Sequence, residues 1–211
     1  MAVARRGEKR AEEIRSAALE LFHRRGFQAS TLRGVAAKVG IQVGSLYNHI
    51  GSKGDLLFEI MEGVMLDLLA DQQEAVATPD VVERMRLLVE RHVMFHGRRS
   101  REVFVGNSEL RSLSLVRRSR IIELRHEYEM VFRNELEDGI RQGKFLPSDV
   151  QVTSYGILAM ATSVSAFYSP RGRLSLEQIA GIYSATVLRG LWNPEAGRLP
   201  GQSASGSHNW V

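Results

Sequence analysis

Thr31-Leu32-Arg33-Gly34-Val35-Ala36-Ala37-Lys38-Val39-Gly40-Ile41-Gln42-Val43-Gly44-Ser45-Leu46-Tyr47-Asn48-His49-Ile50 is the stretch on which the reading of this chain turns. Leu32, Val35, Ala36 and Val39 share one face of a helix that Ser30 or Thr31 can cap, and Gly40 breaks it. After the turn Gly40-Ile41-Gln42, the segment Val43 to His49 reads as a second short helix, with Leu46 and Ile50 directed inward. Two short helices, a tight glycine turn, the small Ala36 at the crossing and apolar residues locking the second helix meet the requirements of a helix-turn-helix.

The outward residues of the second helix are Gln42, Val43, Gly44, Ser45, Tyr47, Asn48 and His49, none of them acidic. Gln42, Ser45 and Asn48 suit base edges, Val43 suits a thymine methyl, and Gly44 lets the backbone come close. Tyr47, His49 and Thr31 suit backbone phosphates. Lys53, at the start of the next helix, is expected to be a second phosphate clamp, because helix N-termini attract anions. The charge distribution agrees: the chain carries +4 overall, with a basic excess up to Lys53 and a net acidic remainder, as expected when one end meets a polyanion. Arg5, Arg6, Lys9 and Arg10 form a basic arm that is either a minor-groove or phosphate contact or a solvated tail.

Working outward, Ile14, Ala18, Leu21 and Phe22 follow helical spacing in a first helix from about Glu8 to Arg25, stopped by Gly26. Ser52 caps a fourth helix whose stripe from Leu56 to Leu68 continues to about Ala77, long enough to join head to body. Thr78-Pro79-Asp80 opens the next helix, a shorter one spans about Arg101 to Leu110, and a long one runs Val116 to Gln142. Pro147-Ser148-Asp149 begins a helix through Tyr168, and Ser175-Leu176-Glu177-Gln178 reads as a capping box opening the last, to about Leu191. The expected architecture is all-α with about nine helices: a head (1–53), a ligand-binding and dimerisation body (54–192) and a Pro/Gly/Ser-rich tail (193–211) expected to be disordered.

Composition removes several classes. The 211 residues include no cysteine, which excludes disulfide frameworks, thiol catalysis and Cys-based zinc sites and is compatible with a reducing compartment. The N-terminus lacks the apolar stretch of a secretory signal, and no run of about 18 apolar residues is evident, so the expectation is a cytoplasmic protein without membrane contact. No Gly-rich phosphate loop, nucleophile elbow or HExxH motif is present, so neither an enzyme nor a cofactor is expected. His92 and His96 share a helix face at i, i+4 without an evident third ligand and read as a satisfied pair rather than a metal site.

Gly26-Phe27-Gln28-Ala29-Ser30-Thr31-Leu32-Arg33-Gly34-Val35-Ala36 and Gly44-Ser45-Leu46-Tyr47-Asn48-His49-Ile50-Gly51-Ser52-Lys53 resemble the tetracycline-repressor (TetR) family. Two positions depart from its pattern: Gln42 stands where the family more often has Ser, and Ile50 where it usually has Phe. The resemblance implies a ligand-released repressor that binds a palindromic operator as a homodimer, with an interface made by the last two helices. Gly156, Ala159, Ala161, Ser163, Ala166, Ile182, Ala185, Thr186 and Arg189 are the candidates for that interface.

The resemblance also implies a ligand cavity among the central helices. Its candidate lining is His92, Phe95, His96, Phe104, Asn107, Arg111, Arg125, Tyr128, Glu129, Phe132, Tyr155, Met160 and Tyr168. Val105 to Arg111, Leu124 to Glu129 and Tyr168 to Ser175 are similar to members that control fatty-acid or steroid-ring catabolism and sense coenzyme A (CoA) thioesters. On that reading Arg171 and Arg173 would meet CoA phosphates. The alternative is a regulator of efflux or drug response that senses an uncharged hydrophobic ligand.

Overall fold

The computed structural model describes residues 2–197, apart from the side chains at 2–6, 8, 74 and 76. The Arg5 and Arg6 side chains and the tail from 198 onward therefore lie outside the described residues. The helices are α1 (Ala2–Ala29), α2 (Leu32–Val39), α3 (Val43–Leu46), α4 (Lys53–Val76), α5 (Val81–Arg98), α6 (Ser100–Ser108), α7 (Leu115–Arg141), α8 (Val150–Thr162), α9 (Val164–Phe167) and α10 (Leu176–Leu191). The all-α expectation holds, and the helix expected through Tyr168 is divided into α8 and α9 at Ser163.

The punctuation in the sequence acts as expected. Gly26 leaves helical geometry at φ 74°, ψ 161°, a region closed to most side chains, and turns the end of α1 toward α2. Thr31 caps α2 through its hydroxyl, which accepts from the Gly34 N–H, and Gly40 ends α2 in the left-handed conformation at φ 72°. Ser30 turns the other way: it is buried and donates to the Gly26 carbonyl at 2.7 Å. The capping box of Ser175 and Gln178 opens α10.

The second helix of the motif is shorter than its sequence suggests, because after Leu46 the chain passes into a turn over Tyr47–His49. Gln42 supplies no side-chain cap, and Val43 and Gly44 are weak helix formers, so little holds a longer helix together. The tail expectation also needs correction over its first residues. Pro194–Ala196 form a 3₁₀ turn, and the Asn193 N–H donates to the Lys144 carbonyl at 2.9 Å.

Two packing centres meet in the middle of the chain. In the head, Ile14, Phe22, Val35, Leu46, Leu56 and Leu57 are buried together, and the same cluster takes in Val105, Ile121 and Leu124 of α6 and α7. Head and body thus share a core across the 53/54 boundary. In the body, α5 lies along α10 around Met85, Leu88, Val89, Val187 and Leu188. A Cβ on Gly97 would collide with the Leu176 side chain, so that glycine lets the start of α10 seat on the end of α5. Arg84 of α5 is clamped between Glu135 and Asp138 of α7.

One stretch, Val150–Phe167, is long and apolar enough by length and composition to cross a membrane, which corrects the expectation that no such run exists. Only 22% of it is buried. On α10, Ile182 is also exposed, at 52%.

Candidate effector cavity and DNA-reading head

The head presents the expected residues outward. Gln42, Gly44, Ser45, Tyr47, Asn48 and His49 are exposed, Val43 is half-buried, and Leu46 and Ile50 are buried beneath them. Thr31 is exposed at the start of α2, with its hydroxyl hydrogen still available to a phosphate. Lys53 differs from expectation. Its Nζ donates to the carbonyls of Phe27 at 2.8 Å and Ser30 at 2.9 Å and sits 4.2 Å from the centre of the Phe27 ring. The ammonium ties the α1–α2 corner, where the helix breaks at Gly26, to the start of α4. Arg10 is also engaged locally, with Glu13 at 2.8 Å.

The body contains a cavity of about 500 Å³ between α4, α5, α6, α7 and α8. His92, Phe95, His96, Asn107, Arg125, Tyr128, Glu129 and Tyr155 line it as expected. The other candidates lie elsewhere. Phe132 is buried in the body core, and Phe104 is exposed with its ring edge on His23 of α1. Met160 and Tyr168 pack into apolar clusters behind the wall, and Arg111, Arg171 and Arg173 are exposed away from it. Long side chains at helical spacing are interchangeable on paper, and only the rotation of each helix decides which face reaches the cavity.

Sequence reasoning missed Met61, Met65 and Leu68 on α4, which give the cavity an apolar wall, and Thr162 at the end of α8. The α4 stripe was visible as an apolar period, but nothing in it separates cavity from core.

Charge inside the cavity is unevenly matched. Glu129 is neutralised by Arg133 at 2.6 Å and also accepts from the Ser154 hydroxyl at 3.1 Å. Arg125 donates through Nη2 to the Gly106 carbonyl at 2.8 Å, and burial lowers its pKa. None of the ion pairs among the described residues includes it. A half-buried guanidinium held only by neutral acceptors is costly and leaves donors for an oxygen-rich guest.

The deeper wall is neutral. Burial drives His92 well below its ordinary pKa, with His96 adding to the effect, and burial brings His96 to about 4. Burial raises the Tyr128 phenol well above its usual range, so it keeps its proton.

The walls of this cavity also touch the head. The Glu109 carboxylate, just after α6, accepts from the Phe27 N–H at 3.0 Å and from the Ser112 hydroxyl at 2.7 Å. Arg117, near the start of α7, pairs with Asp55 in the first turn of α4, and Arg120 pairs with Glu62 at 3.3 Å.

Residues 14–60 match the family model described as bacterial regulatory proteins, tetR family, and residues 78–191 match the model for the tetracyclin repressor-like C-terminal domain. The chain belongs to the tetR family. It is a helix-turn-helix DNA-binding transcriptional regulator. It is 31% identical over 193 residues to the HTH-type transcriptional repressor KstR2 of Mycobacterium tuberculosis, covering 90% of this chain and 96% of that one. A solved structure of the ketosteroid transcriptional regulator KstR2 of the same organism superposes with a TM-score of 0.81 at 29% identity, covering 87% and 95% of the two chains. The structure of AibR in complex with isovaleryl coenzyme A and operator DNA superposes with a TM-score of 0.78 at 27% identity, covering 87% of this chain and all of that one (100%).

Proposed function

We propose that this tetR-family protein is a one-component cytoplasmic repressor with no catalytic activity, whose dimer holds a palindromic operator until a CoA thioester enters the α4–α8 cavity. One observation carries the reading: the helices that wall the cavity are tied to the head, α6 directly through Glu109–Phe27 and α7 through Arg117–Asp55 in the first turn of α4, the helix that follows the head. A guest that displaces those helices must move the heads.

The ligand class has two supports. AibR holds isovaleryl coenzyme A together with operator DNA. The cavity of about 500 Å³ is sized for a drug-like guest and smaller than a whole CoA thioester. The acyl part therefore enters while the nucleotide stays near the mouth, marked by exposed Asn107, His126 and Tyr155. Arg125 takes the thioester oxygen, a donor set that an uncharged hydrocarbon drug would leave unpaired.

At the DNA face, Gln42, Ser45 and Asn48 read base edges with Val43 beside them, Gly44 admits the backbone, and Thr31, Tyr47 and His49 hold phosphates. Two heads are required because one recognition helix covers only a few base pairs. The dimer closes through α8 and α10, where Gly156, Ala159, Ser163, Ala166, Thr186 and Arg189 are exposed. Ala161 is excluded from that face, since it is buried against Val93 and Val164.

The experiment is a gel-shift titration of the full chain on its upstream intergenic DNA at fixed salt, with an acyl-CoA series added. Release by an acyl-CoA is expected. Retention of DNA with every thioester, together with release by an uncharged hydrophobic drug, would transfer the protein to the efflux reading.

A further inference from the structure

At the deep end of the cavity, four side chains from four helices form a chain of hydrogen bonds whose protons have a fixed direction. Gln72 of α4 is buried, and its Nε2 donates to the Tyr128 phenol at 3.0 Å while its Oε1 has no partner. A phenol carries one proton, so Tyr128 gives its own to Nδ1 of His92 at 2.9 Å. His92 is neutral, and an imidazole that accepts at Nδ1 holds its proton on Nε2. That proton goes to Oγ1 of Thr162, 2.9 Å away.

Reversing the chain would turn the Gln72 amide and strand both its N–H groups in an apolar setting. The observed direction leaves Oε1 and one N–H unpaired, so it strands one buried donor where the reverse strands two, and buried orphan donors are the rarer arrangement in proteins. Thr162 therefore receives a proton from the protein and has its own to give. It lines the cavity, and among the described residues no other hydrogen bond involves its hydroxyl. His96 completes the wall. Its Nδ1 donates to the His92 carbonyl at 2.8 Å, its ring stacks on His92 with centres 3.8 Å apart, and its Nε2 is left as a bare acceptor.

We infer that Thr162 and His96 form an uncharged donor–acceptor pair that selects an effector bearing a hydroxyl group at the end remote from its acyl carbonyl. The hydroxyl accepts from Thr162 and donates to Nε2 of His96. A ketone satisfies only Thr162, a methyl satisfies neither, and a carboxylate meets two neutral imidazoles that cannot compensate its charge. This inference rests on the cavity being the effector site.

The test compares paired probes on the full-length protein by calorimetry and operator release: plain acyl-CoA thioesters from six to twelve carbons and their ω-hydroxy counterparts. At the chain length that spans the cavity, the hydroxylated probe is expected to bind roughly tenfold tighter, the effect of pairing two otherwise stranded groups. Thr162→Ser keeps that preference and Thr162→Val loses it. Nitrogen-15 spectra of the ligand-free protein should show His92 protonated at Nε2, and protonation at Nδ1 overturns the inference without reference to any ligand.

If plain thioesters bind and release the operator as well as the hydroxylated ones at every length, the inference fails while the effector reading stands. If the preference survives in Thr162→Val, the assigned donor is wrong. If neither series binds, both the inference and the effector reading fall.

Discussion

The carboxylate of Glu109 accepts the backbone N–H of Phe27 at 3.0 Å across 82 residues of sequence, fixing the end of α6 to the corner where α1 gives way to α2. Removing it uncouples the two halves. Glu109→Ala leaves the Phe27 N–H and the Ser112 hydroxyl without their acceptor. The ratio of operator affinities with and without effector should then collapse by most of the ~1–3 kcal/mol usual for allosteric coupling. Glu109→Gln keeps an acceptor and should retain much of it. Fluorescence anisotropy on labelled operator measures both, and an unchanged ratio in Glu109→Ala would show that the signal travels another way.

Lys53 separates a structural from an electrostatic role. A lysine that neutralises a phosphate contributes about 0.9 to the slope of log affinity against log salt. Lys53 instead spends its donors on the Phe27 and Ser30 carbonyls. Lys53→Met is therefore expected to lower the melting temperature and weaken operator binding with the salt slope unchanged, whereas Tyr47→Ala should weaken binding to all sequences with little loss of stability, since Tyr47 is 55% exposed. Salt titrations of the two variants decide the matter.

Part of this arrangement is legible along the chain and part is not. The head is legible because its signals are local: Gly26, Thr31, Gly40 and Ser52 act on their immediate neighbours, and the base-reading candidates fall in one continuous segment from Gln42 to His49. The cavity is half legible. His92, Arg125 and Tyr128 are polar residues on apolar helix faces, and that contrast marks them within the sequence itself. Gln72, Thr162 and Glu109 carry no such mark, because each acquires its role from a partner 56 to 82 residues away. The α8 stripe is readable as apolar but not as core or interface, since both need the same side chains; Ala161 is buried and Ala159 exposed.

The buried histidines give the protein an acid limit. The His96 pKa lies at about 4 in the folded protein against an ordinary 6.5, because burial penalises its charged form. Between those two values the unfolded chain binds a proton that the folded chain refuses, so stability is lost as pH falls through that window. Such a shift is worth about 3 kcal/mol for the one group, and His92, shifted in the same direction, adds to it. Urea denaturation at neutral pH and near pH 4.5 should show the loss, and His96→Gln should reduce it. A variant with the same pH dependence as the parent would mean that His96 titrates normally.

The exposed face of α8 and α10 sets a final expectation. Val152 is 67% exposed and Ile182 52%, on helices that also present Gly156, Ala159 and Ser163. A water-facing apolar stripe of this kind, rimmed by small residues, is suited to close packing against its own copy in a two-fold arrangement. Val152→Asp with Ile182→Asp places charges on that exposed apolar face without touching the protomer core. The double variant should keep its helical circular-dichroism spectrum, sediment as a monomer and lose operator affinity by about a hundredfold or more, because one head retains only its own half-site. A variant that still sediments as a dimer would move the interface to another face, and a monomer that still binds the operator tightly would remove the need for two heads.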